Sequence, residues 1–138
     1  MISAIVGRIM AIRSANAINR GDLASYLGRW SDDVIFVCQG EISVAGTFTG
    51  KEEVQRWHQR LLEQFPERSV TVKNVYTRNF FGLLSNDFAV EWEWSGTNKD
   101  GKKHQNAGVT ILRMRRGKAT FVQQYVFDAN AQRESWGE

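Results

Sequence analysis

The sequence predicts an α+β domain in which N-terminal helices fold over a curved antiparallel sheet and enclose an apolar pocket. Three observations carry this reading. Apolar residues recur at helical spacing through the first half of the chain. From Val70 to Asp128 the period changes to two. Hairpin signals at Asn98-Lys99-Asp100-Gly101 and Arg116-Gly117 divide that second half into strands. Helices placed before an antiparallel meander define the class.

The first helix is read from Ile5, Ile9, Ile12 and residues 16–18, with Met10 and Ala17 filling the same side. It should stop at Asn19-Arg20-Gly21, where glycine supplies a left-handed cap. Asp22 then caps a short second helix whose apolar face is Leu23, Tyr26, Leu27 and Trp30, and Ser31-Asp32-Asp33 breaks it. A strand follows at Val34 to Cys38, β-branched and aromatic, and a second at 42–48 after a Gln39-Gly40 turn. Gly50 opens a third helix, with Glu52 and Glu53 at the positive end of its dipole. Its inner face is Val54, Trp57, His58, Leu61 and Phe65, and Pro66 ends it. Four strands at approximately 69–80, 86–97, 103–115 and 118–128 form the meander, and residues 129–137 a closing helix or tail.

A chain of 138 residues suits one domain over 1–138 with a core of its own. Its 24% charged residues and single proline argue against disorder. The one cysteine, Cys38, allows no internal disulfide and suits a reducing, cytoplasmic location. The apolar start carries Arg8 and Arg13 and reads as an amphipathic helix rather than a signal peptide. No stretch approaches the roughly 18 apolar residues of a membrane span, so no membrane partner is expected. The net charge of +3 is spread along the chain. Its densest cluster, Arg113, Arg115, Arg116 and Lys118, straddles a turn, which argues against nucleic-acid binding.

With both hairpins tight, Val90, Trp92 and Trp94 should share a face with Asn106, Gly108, Thr110 and Leu112. Phe121, Gln123, Tyr125 and Phe127 should join them. That face is aromatic, with sparse polar groups and a gap at Gly108, which is the make-up of a ligand pocket. The opposite face collects Glu91, Glu93, Ala107, Val109, Ile111, Val122, Gln124 and Val126. It is apolar enough to suggest a sheet-to-sheet homodimer.

The stretches AINRGDLASYLGRWSDDVIF, FTGKEEVQRW and QQYVFD, in this order, resemble the nuclear transport factor 2-like superfamily, in particular its SnoaL-like branch of polyketide cyclase and ketosteroid isomerase relatives. The likeness spans roughly residues 4–128. It rests on the Asn-x-Gly-Asp-Leu link at residues 19–23, Asp32-Asp33-Val34, and Gly50 followed by Val54. The resemblance implies a cystatin-like α+β roll, a cone-shaped pocket between helices and sheet, and a homodimer through the outer face of the sheet. It does not fix activity, because the superfamily holds isomerases, cyclases, dehydratases, hydrolases and non-catalytic modules. Where isomerase-like members carry a base carboxylate this chain has Cys38. Their oxyanion tyrosine falls near Ser14, and their second acid near Val109 or Thr110. Where cyclase-like and epoxide hydrolase-like members carry an aspartate on the last strand, this chain has Tyr125.

His58, on the inner face of the third helix, is the candidate acid–base residue, because a neutral imidazole titrates near neutral pH. A core histidine bonded to a backbone carbonyl is the alternative. Tyr125 is the candidate oxyanion donor, with Gln123 and Asn106 as orienting amides. Tyr26, Trp30, Cys38, Trp57, Trp92, Thr110 and Phe127 complete the expected ligand-binding wall. His104 is expected to be exposed near the first hairpin. Nothing has metal-ligand spacing, and neither a phosphate loop nor a dinucleotide fingerprint is present, so no metal or cofactor is expected. The expected ligand is a small, largely apolar carbonyl compound. Two readings stand open: a cofactor-independent isomerase, cyclase or dehydratase, and a non-catalytic ligand-binding or assembly module.

Overall fold

A computed structural model describes residues 2–82 and 84–138. The chain runs α1 (Ile2–Asn19), α2 (Leu23–Tyr26), β1 (Trp30–Cys38), β2 (Gly46–Thr49), α3 (Lys51–Gln64), β3 (Glu67–Thr77), β4 (Asn86–Thr97), β5 (Lys103–Arg115), β6 (Lys118–Val126) and α4 (Ala129–Ser135). The six strands form one sheet in the order β2-β1-β6-β5-β4-β3. The fold is α+β, as its pattern predicts. One pair departs from an all-antiparallel sheet: β1 runs parallel to β6, with Phe36 beside Val122 and Cys38 beside Gln124. Among the described residues no helix is long and apolar enough to cross a membrane.

Local chemistry explains most boundaries. Asp22 accepts the Ser25 N–H and caps α2. Asp128 does the same for α4 through the Ala131 N–H. The β5–β6 turn is left-handed at both central residues, Arg116 at φ 53° and Gly117 at φ 78°, the geometry that matches strand twist in a two-residue hairpin. Asn98 organises the β4–β5 turn, its side-chain oxygen accepting the N–H groups of Asp100 and Lys102.

Four expectations need correction. Trp30 is not the end of a helix but the first residue of β1, and Ser31-Asp32-Asp33 lies within that strand. The register of β1 on β6 is irregular between Trp30 and Ile35, so this acidic stretch bends the strand rather than ending a helix. The second strand is shorter than residues 42–48, beginning at Gly46, with Ile42 buried in the preceding turn.

The stripe Ile5, Ile9 and Ile12 on α1 faces outward and is 55%, 46% and 38% exposed. The sheet side of α1 is instead its small-residue side. A Cβ on Gly7 would stand 2.6 Å from the Phe88 ring, and Ser3 Oγ donates to the carbonyls of Asn79 and Phe80. Close helix–sheet approach selects the small side.

The fourth correction governs the site. On β6 the register slips between Arg113 and Met114: Met114 pairs with Ala119 but Arg113 pairs with Phe121. The inserted residue is Thr120, whose hydroxyl donates to the Arg113 carbonyl. One extra residue inverts every side chain beyond it. Val122, Gln124 and Val126 therefore turn to the concave face, and Phe121, Gln123 and Tyr125 to the convex one.

The main core lies between α3, β1 and the start of β6. It joins Leu27, Trp30, Val34, Phe36, Cys38, Val54, Trp57, Met114, Ala119 and Val122. Phe65 meets Trp94 and Trp136 edge-on, with centroids 5.1 and 5.5 Å apart, and Trp136 also packs against the main core. The concave sheet and the helices leave a cavity.

Candidate functional site

The cavity is about 680 Å³ in volume, inside the range of small-molecule sites. Met10, Trp57, Leu61, Val90, Trp92 and Val122 are among its apolar walls. Among the described residues its lining contains no aspartate or glutamate.

His58 stands at its inner end. α3 brings it there because Val54, Trp57 and His58 share the face packed against β1. It is 1% exposed, and Tyr26, Trp30, Phe36 and Trp57 surround it with ring centroids 4.9–5.4 Å away. Its Nδ1 lies 2.8 Å from the Val54 carbonyl. A carbonyl only accepts, so Nδ1 carries the proton and Nε2 holds a lone pair. The hydrogen bond that His58 makes among the described residues is through Nδ1 alone. Burial pushes the His58 pKa down to about 4, against a smaller opposing effect of the Val54 carbonyl. At neutral pH the ring is a neutral hydrogen-bond acceptor on the cavity wall.

Tyr26 stands beside it, 5.2 Å from His58 between ring centroids. Burial raises its pKa to about 12, so its hydroxyl stays protonated and can donate. Cys38 is 2% exposed, and burial lifts its thiol to about 11. Gln124 Nε2 lies 3.9 Å from its sulfur. Across the cavity the Trp92 Nε1–H donates to Thr110 Oγ1 at 2.9 Å, leaving the threonine proton for another acceptor.

The structure thus brings His58, Tyr26, Trp30, Cys38, Trp57, Trp92, Asn106 and Thr110 to one cavity. Asn106 is already engaged, its amide donating to the Asp128 carbonyl and accepting the Asp128 N–H. Tyr125, Gln123 and Phe127 do not join them. The Thr120 insertion sends Gln123 and Tyr125 to the convex face, and Phe127, past the end of β6, is 64% exposed. The expected gap at Gly108 is filled: a Cβ there would meet the Trp92 ring at 2.6 Å and the Tyr125 carbonyl. His104 is half-buried rather than exposed, and its Nε2 accepts from Asn98 Nδ2 at 3.2 Å. Gln124 is the polar wall residue that alternation misses, and only the inserted residue on β6 reveals it.

Comparison with known proteins agrees with this architecture. A model of the SnoaL-like domain matches residues 11–122. No curated protein matches. The structure of Bal32a, from a soil-derived mobile gene cassette, covers 97% of this chain and 98% of its own, with a TM-score of 0.83 at 15% identity. A protein of unknown function with a cystatin-like fold from Xanthomonas campestris covers 96% and 98%, with a TM-score of 0.80 at 24% identity. TerC, co-crystallised with polyporic acid, covers 96% and 99%, with a TM-score of 0.79 at 17% identity. At such identities the likeness is one of fold.

Proposed function

The chain belongs to the SnoaL-like domain family, and on that premise we propose that its cavity binds a small, largely apolar carbonyl compound. The observation that carries this is the juxtaposition of His58 and Tyr26 on the wall of a largely apolar cavity. His58 Nε2 accepts a hydrogen bond from a hydroxyl or enol of the ligand, and the Tyr26 hydroxyl donates to its carbonyl. The remaining walls sort ligands by shape. TerC, of the same fold, was crystallised with polyporic acid, which supports a cavity suited to such a guest.

A second reading is cofactor-free isomerisation or a related cyclisation or dehydration at the same pair. It is favoured by the juxtaposition itself: His58 takes a proton while Tyr26 steadies the oxygen. Tyr26 replaces Tyr125 in that role, since Tyr125 lies on the convex face. A basicity lowered to about 4 makes His58 a weak proton acceptor at neutral pH, so binding is the leading reading.

We place the protein in the cytoplasm on its lone buried thiol. We also propose a homodimer through the convex face, where Ile35 and Tyr125 are each 38% exposed beside Phe121, Val109 and Ile111.

Native mass spectrometry before and after denaturation tests the main proposal, followed by titration of the released compound, or of a panel of aromatic ketones, into wild type and Tyr26→Phe. Tyr26→Phe removes one hydroxyl and little volume. The expected result is weaker binding in the variant by roughly five- to tenfold, one hydrogen bond's worth. Unchanged affinity would remove Tyr26 from the site, and an absence of any cavity ligand across the panel would defeat the proposal.

A further inference from the structure

We infer that the ligand of this cavity is an organic acid: an apolar, flat body that enters the cavity and one anionic group that stays at its rim. The inference rests on the cavity-binding proposal above and names the ligand class. Arg13, Arg20 and Arg29 all line the cavity, and among the described residues no carboxylate lines it. Asp22, the one acid among residues 1–31 that carry these arginines, does not line it either.

Two of the three guanidiniums, those of Arg13 and Arg29, are without an ion pair among the described residues, and the third is held only by an exposed one. Arg20 pairs with Asp22 at 3.2 Å, at a site where its side chain is 57% exposed, and such a pair contributes little and can exchange. Asp22 is also occupied by the Ser25 N–H that it caps. Arg13 lies on α1 and Arg20 is the first residue after that helix. Arg29 is held in place by its backbone, whose carbonyl accepts the Ala119 N–H at 2.8 Å.

The inner end has the opposite character. His58 and Tyr26 are both neutral at physiological pH, and aromatic rings surround the histidine. A charge driven there would lose its hydration without a countercharge. Rim and interior together sort the ligand into two parts, an uncharged body inside and an anion outside. A carboxylate or acidic enolate accepts bidentate hydrogen bonds from guanidinium, whereas an amine would be repelled.

The test uses four probes of one shape: 2-naphthoate, 2-naphthamide, 2-naphthalenemethanol and 2-naphthylmethylammonium. Each is titrated at pH 7 into the full chain by tryptophan quenching, at low and at 0.5 M salt. Arg13→Gln, Arg29→Gln and the double variant follow, at positions exposed enough to leave the fold unchanged. The expected result is that naphthoate binds roughly tenfold more tightly than the amide or alcohol at low salt, and that the ammonium binds worst. That preference should shrink severalfold in high salt and in the double variant, while the neutral probes stay unaffected. Equal binding of acid and neutral probes would overturn the inference and leave the cavity proposal standing. Preference for the ammonium would overturn it as well. Failure of all four probes to bind would take down the cavity proposal and this inference with it.

Discussion

Acidification interrogates His58 directly. In the folded protein its pKa is about 4, lowered by burial from the ordinary 6.5. In the unfolded chain the ring is solvated and returns to that ordinary value. Between pH 6.5 and 4 the unfolded state therefore binds a proton that the folded state refuses. Stability contributed by the neutral ring is fully present above pH 6.5 and is lost as the pH falls towards 4. Each tenfold difference in proton affinity is worth about 1.4 kcal/mol, so a drop from 6.5 to about 4 amounts to about 3 kcal/mol. For a domain with a total stability of about 5–15 kcal/mol that is a large fraction.

The groups in ring contact with His58 are Tyr26, Trp30, Phe36 and Trp57, none of which changes charge in this window. Asp22 and Asp87 both have pKa values held below 3.8, Asp22 by its hydrogen bond with Ser25. For Asp87 burial pushes upward, but bonds from Arg115 and Arg78 outweigh it. Their contributions are lost only at lower pH, so they do not mimic His58. Urea unfolding followed by tryptophan fluorescence, in steps from pH 7 to 4, should show the midpoint falling by roughly 1–2 M at an ordinary denaturant slope. His58→Gln, which cannot titrate, should be flatter by that amount. Parallel pH profiles for wild type and variant would refute the argument, as would an NMR titration of folded His58 centred near 6.5.

Further outcomes follow from the same structure. Gly108→Ala forces a methyl against the Trp92 ring at 2.6 Å and the Tyr125 carbonyl; it should lower stability by about 1–3 kcal/mol, read as a drop in melting temperature. Asn86 is 1% exposed and bonds the Asn79 N–H, the Asn79 carbonyl and the Gly82 carbonyl; Asn86→Ala should cost about 2–3 kcal/mol and speed proteolysis of the β3–β4 connection. The homodimer proposed through the convex face predicts that Tyr125→Asp, which places a charge there, shifts sedimentation from dimer to monomer while leaving naphthoate binding unchanged; a wild type that sediments as a monomer would refute it. Cys38, with its thiol raised to about 11, should react with a disulfide reagent at pH 8 far more slowly in the native protein than in urea.

Local sequence dictates the elements. The step from helical to alternating periodicity at Val70, the acids that begin α3, Asp22 as a cap and Arg116-Gly117 as a turn each act within a few residues, and each is visible without the fold. The inner face of α3 belongs to the same class: spacing alone puts Val54, Trp57 and His58 together, and the Val54 carbonyl that fixes the His58 tautomer is one turn away. Three features depend on packing between distant segments. Ile5, Ile9 and Ile12 form a good apolar stripe, yet α1 presents Ser3 and Gly7 to its neighbours because close approach to Phe88 rewards a small side over a large one. The faces of β6 turn on Thr120, left outside the ladder because Arg113 across the hairpin pairs with Phe121 while the Thr120 hydroxyl donates to the Arg113 carbonyl; that single residue exchanges Tyr125 for Gln124 at the cavity. The charge of the site is likewise tertiary. Arg13, Arg20 and Arg29 lie in a stretch, residues 1–31, whose one acid is Asp22, but only the fold sets all three along a single cavity whose described lining carries no carboxylate, because alternation and helical period specify which side a residue takes, not what the chain brings opposite it.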